Sequence, residues 1–250
     1  MPMVISTIDE SQRRAARAAG LAYVFSTAAV LSVQFGIRSR LIVAGQAAET
    51  ARNIAAHERL FRTYVAGDLL YCVGVVVLLT ALYVILKAVN QNLALLAAYC
   101  RLVYALVWVH MTVNDFAALR LVSGADYLRA FGGDRLQALM RLYLGGFDAY
   151  YVALVFYGLG ATVCFYLWFK SHWIPGVLAT GGVISSAWCT ACTFVFIIFP
   201  DFAKVVNLWW FDSPMPIFEM ATSFWLLFKG LRPLGIAEPA RQAIERLERV

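Results

Sequence analysis

Charge is scarce in this chain. Only 14% of its 250 residues are charged, where a soluble domain carries about 25%. Histidine is scarcer still. His57, His110 and His172 are the only three, and no HExxH or HxxxH spacing joins any of them. A zinc-hydrolase helix is therefore absent. So are a Walker motif, a dinucleotide fingerprint and a nucleophile elbow, and no motif implies a cofactor. There is no transporter-like internal repeat. Loop cysteines are missing too: Cys72, Cys100, Cys164, Cys189 and Cys192 all lie inside apolar runs. That excludes an extracellular disulfide framework and suits free thiols acting as small hydrophobes. Cys189 and Cys192 have the spacing of a redox pair, yet an apolar helix disfavours the thiolate such chemistry needs.

Apolar residues fill the space. They make up 62% of the chain, and mean hydropathy is +0.71. One soluble core does not need so much apolar surface. Long apolar runs between short charged patches predict an all-α, polytopic transmembrane bundle of about six crossings. The net charge of +6 sits at the ends of those runs, where lipid headgroups account for it. No aromatic-interleaved basic groove suggests nucleic acid. Membrane lipids are the expected surroundings.

Residues 1–17 form a polar lead, 18–232 the membrane domain and 233–250 a short charged tail. The first crossing starts at Ala18, after Arg13, Arg14 and Arg17, and the second covers Leu69–Leu86. The third, about Leu93 to Leu119, contains RLVYALVWVHMTVNDFAALR (101–120). The fourth covers about Phe147–Phe169, and the fifth runs from Pro175 to about Phe199. The sixth opens at Asp212-Ser213-Pro214 and is short for a span. Two long connections, 37–62 and 121–143, carry amphipathic helical spacing. Trp209 and Trp210 suit an interfacial anchor. An even number of crossings puts both termini on one side. Setting Arg101 apart, ten Lys and Arg fall on each side. The basic flank of the first helix favours cytoplasmic termini.

The strings AGLAYVFSTAAVL, ETARNIAAHERLFR, ALYVILKAVNQNLALLA, SGADYLRAFGGDRLQALMRLYL and LVFYGLG resemble a family of bacterial multi-helix membrane proteins, domain of unknown function number 4386. The resemblance covers nearly all of Ala16–Gly230. It implies the topology and a bacterial origin, and the expected location is the bacterial cytoplasmic membrane. Glu219 matches an acidic position in that family's last helix. The family implies no reaction or ligand.

Ionisable groups in oily helices are costly and mark functional candidates. Here they are Asp68, Arg101, His110, Asn114, Asp115, Asp148 and Glu219. Arg101 shares a helix face with Asp115 but lies fourteen residues away, about 21 Å, so it needs a partner from another helix. His110 and Asn114 share a face, and an interhelical hydrogen bond is the expected fate of His110. Alternating crossings bring Asp68, Asp115, Asp148 and Glu219 toward the side of the long connections, where they could ring one cavity. Ordinary end-of-helix charges would look the same. The leading expectation is a polar intramembrane cavity that binds or moves a small amphipathic or anionic molecule. A membrane enzyme using Asp115 or Glu219 with His110 is one alternative, and a non-catalytic partner or scaffold protein is another.

Overall fold

The computed structural model describes residues 8–123, 131–145 and 147–232, with the side chains of 147, 148, 200, 203 and 209 left out. The polar lead before residue 8, residues 124–130 of the second long connection and the tail beyond 232 lie outside the described residues. Helices α1 (Glu10–Val33), α2 (Ser39–Leu41), α3 (Ala47–Ala56), α4 (Glu58–Leu86) and α5 (Gln91–Leu121) come first. Then follow α6 (Gly133–Leu144), α7 (Phe147–Ser171), α8 (Gly176–Ile198), α9 (Leu208–Asp212) and α10 (Pro214–Phe228). Among the described residues there is no strand.

Five helical runs are long and apolar enough to cross a bilayer: Glu10–Leu41, Glu58–Leu86, Gln91–Leu121, Gly133–Ser171 and Gly176–Ile198. The chain is thus an all-α polytopic membrane bundle. α10 has 15 residues, about 22 Å of helix, which is short of a hydrocarbon core of about 30 Å. α9 and the turn after α10 supply the rest of that rod. At one end Phe211 packs on Phe196, with ring centroids 4.6 Å apart. At the other, the Arg232 N–H donates to the Trp173 carbonyl at 2.9 Å. The sixth rod therefore runs antiparallel along α8, in two pieces. Pro214 and Pro216 begin its second piece, where missing N–H groups break few helical bonds.

The long rods close into a ring in the order α1, α4, α5, α7, α8, α10 and back to α1. Oil gives helices no hydrophobic reason to associate, so close backbone approach matters more than in water. Glycines provide it. Gly67 and Gly74 on α4 lie against Val33 and Ser26 of α1. Gly20 of α1 meets α10, where an added Cβ would stand 2.7 Å from the Ser223 carbonyl oxygen. Gly158 packs on Thr190, Gly160 on the Ala97–Arg101 turn, and Gly181 and Gly182 on Phe218 and Phe165.

The connections differ from the sequence expectation in two places. α4 starts at Glu58, not Leu69, because the expected surface stripe is split at His57 into α3 and the first turns of α4. Phe61, expected in that stripe, is wholly buried. α1 also runs on past Val33 through a π-helical turn, Gln34–Arg38, into α2. A π turn inserts a residue and rotates the side chains after it, and such turns favour functional sites. α3 and α6 contact each other at the same end of the bundle.

Candidate functional site

The third crossing sets the geometry. On α5 the buried positions Arg101, Tyr104, Trp108, Thr112 and Asp115 form one stripe, at steps of three and four residues. His110 is nine residues from Arg101, half a turn round at 100° per residue. It is exposed on the outside of the bundle. Its ring Nε2 stands 3.5 Å from the Asn114 amide, at the limit of a hydrogen bond. The interhelical bond expected for His110 is not made, and neither His110 nor Asn114 faces the acids.

Arg101 and Glu219 meet on the bundle axis. Their helices, α5 and α10, stand opposite one another in the ring. Arg101 is 3% exposed and Glu219 5%. The guanidinium Nη2 donates to Glu219 Oε1. Tyr157 of α7 donates its hydroxyl to Glu219 Oε2, and its ring lies 5.1 Å under the guanidinium. Tyr104 stacks on Tyr157 at 4.7 Å, and the Tyr71 and Tyr104 hydroxyls are 2.5 Å apart. Further along, Trp108 packs on Tyr71 and Tyr150. Tyr150 donates to Asp212 Oδ2 at 2.6 Å. Burying an ion pair is tolerable when extra hydrogen bonds satisfy the carboxylate, and Tyr157 supplies one.

This centre is not completely satisfied. Arg101 Nε and the Thr222 hydroxyl are buried without a protein partner. Both residues line a cavity of about 30 Å³ together with Tyr23, Cys164, Glu219 and Ser223. That volume suits about one water, which such polar groups would hold.

Asp68 and Asp115 form a second buried group, toward the long connections. Asp68 accepts from the Gln34 amide at 3.2 and 3.3 Å; Gln34 is the first residue of the π turn. Asp115 accepts from the Tyr64 hydroxyl at 3.0 Å. They are 3% and 6% exposed. Asp115 and Arg101 are fourteen residues apart on α5, about 21 Å along the axis. The acids expected to ring one cavity are thus divided between two clusters. Asp148 lies in α7, and its side chain is outside the described residues. No group of three or more His, Cys, Asp or Glu fit for a metal occurs among the described residues. Cys189 and Cys192 are both buried free thiols.

A family model described as Domain of unknown function (DUF4386) matches residues 18–230. The chain belongs to the DUF4386 family. The matched span of this DUF4386 chain covers the transmembrane rods, apart from the first turns of α1, and both buried clusters. No curated protein and no solved structure matches it.

Acids alone gave an incomplete list. Tyr23, Tyr64, Tyr71, Tyr104, Tyr150 and Tyr157 build most of both sites in this DUF4386 protein, with Gln34 and Asp212. The signal was in the sequence. Tyr64, Asp68 and Tyr71 step by four and three along α4, and Tyr104 lies three residues after Arg101.

Proposed function

We propose that this protein resides in a bacterial cytoplasmic membrane, termini on the cytoplasmic face, and binds or moves a small amphipathic or anionic molecule inside the bundle. Arg101 is its anion-binding group, and Glu219 occupies that place when the site is empty. The supporting observation is the pairing itself: a buried arginine whose carboxylate partner rides on the short, two-piece rod. A cavity of about 30 Å³ is far below the 300 Å³ or more of a ligand pocket. The conformation described is therefore closed, and admitting a ligand requires α10 to move. The broken helix, with Pro214 and Pro216 at its second start, supplies a hinge. The Arg13, Arg14 and Arg17 flank supports cytoplasmic termini. The enzyme alternative loses support, because His110 points away from Asp115 and Glu219.

Native mass spectrometry of the purified protein tests this. Wild type should retain an anionic amphiphile, Arg101→Gln should lose it, and Glu219→Gln should retain more. Identical bound masses in all three would contradict the proposal.

A further inference from the structure

Resting on the anion-binding reading of Arg101, we propose that the site takes up one proton for each anion it binds, so that anion and proton enter together. The argument is one of charge in a dry interior. Among the described residues, seven groups from six elements lie within electrostatic reach of Glu219. They are Tyr23 of α1, Tyr71 of α4, Arg101 of α5, Tyr157 and Cys164 of α7, Cys189 of α8 and Asp212 of α9. Arg101 is the one cation in that set.

With the site empty, the guanidinium and the Glu219 carboxylate neutralise each other. An anion that takes Arg101 leaves Glu219 as a second buried negative charge with no cation. Such a charge is removed by protonation, since an isolated carboxylate in an apolar interior is far less stable than its acid. The exchange balances. Ionised Glu219 paired with Arg101, plus the anion and one proton, gives the anion paired with Arg101 and a neutral Glu219 carboxylic acid. Net charge in the membrane is unchanged. A neutral carboxylic acid can accept from the Tyr157 hydroxyl as the carboxylate does. The cavity beside Arg101 and Glu219 has room for about one water, which would hand the proton over. Asp212, held by Tyr150 at 2.6 Å, is the other carboxylate in reach and the rival acceptor.

Decanesulfonate is a suitable probe, because its own charge does not titrate near neutral pH. It would be titrated calorimetrically into the full chain in phosphatidylcholine nanodiscs, in two buffers of different ionisation enthalpy, with Arg101→Gln as the background for partition into lipid. Wild type should take up about one proton per anion, and its affinity should fall about tenfold per pH unit. Glu219→Gln should bind with no proton uptake and no pH slope. Asp212→Asn should keep the wild-type count. Binding by wild type without proton uptake would overturn the coupling while leaving Arg101 as an anion site. Uptake that persists in Glu219→Gln, or vanishes in Asp212→Asn, would overturn the assignment to Glu219. No specific binding by wild type would overturn the anion site and the coupling together. If Glu219→Gln does not fold, the proton count and pH slope of wild type decide.

Discussion

Replacing Arg101 by methionine leaves Glu219 buried beside Tyr157 with its cation gone. Removing one partner of a buried ion pair costs about 3–5 kcal/mol, whereas exchanging both for apolar side chains is often nearly neutral. Thermal unfolding in detergent should therefore show a large loss for Arg101→Met and a marked recovery for Arg101→Met/Glu219→Met. Equal losses in single and double variants would contradict the pairing. At the second cluster, Tyr64→Phe removes the hydroxyl that Asp115 accepts at 3.0 Å. Leaving a buried acceptor unsatisfied costs about 1–3 kcal/mol, and the same melting experiment should register a loss in that range. Residue identities were legible in part. The polar side chains of the crossings can be counted from the sequence, and Arg101 plainly needed a partner from another helix. Which acid it would find was not legible, since only the ring order sets Glu219 opposite it. The place of His110 has a different cause: a nine-residue step from Arg101 turns it outward.

Each long helix stands where its apolar run predicts, because a run of about 20 apolar residues has one economical fate in a membrane. Helix starts were less legible. α4 begins at Glu58, and its first turns, with Arg59 and Arg62, read in the sequence as part of an amphipathic surface connection, whereas Phe61 is buried. The π turn at Gln34–Arg38 leaves no mark in composition; it is visible only through what it does, setting Gln34 against Asp68. The proposed opening would separate α10 from α1 at the seam between them. Gly20 sits against the Ser223 carbonyl and Leu227, so a larger side chain must push α10 outward. Gly20→Leu should lower the melting temperature. It should also make a cysteine placed at Thr222 react faster with a water-soluble thiol reagent. Unchanged reactivity would indicate that α10 does not hinge at this contact.

Across the whole molecule, two ends differ in kind. One end has short turns, Lys87–Asn90 and His172–Pro175, while the other carries α3, α6 and the Pro200–Lys204 turn. The start of α1, through Gln12 and Ile85, and Arg232, through Trp173, lie at the short-turn end. Single cysteines at Ala88 and His172 should therefore label from one side of sealed vesicles, and cysteines at Gln46 and Asp201 from the other, all in a background stripped of the native cysteines. The native thiols need this care because Cys100 is only partly buried. The ring around one axis gathers polar groups at its centre: Tyr71, Arg101, Tyr157 and Glu219 turn inward among buried apolar residues such as Ile85, Phe165, Trp168 and Leu226, while other large apolar residues stay outside. Leu106, Val177, Ile184 and Phe228 are among those left facing out, as lipid contact demands.

The account turns on whether Arg101 accepts an anion when Glu219 lets go. Binding of decanesulfonate to wild type, Arg101→Gln and Glu219→Gln, side by side in phosphatidylcholine nanodiscs, measures this directly. The account predicts saturable binding in wild type, none above lipid background in Arg101→Gln, and tighter binding in Glu219→Gln. The same isotherm in all three proteins would contradict it.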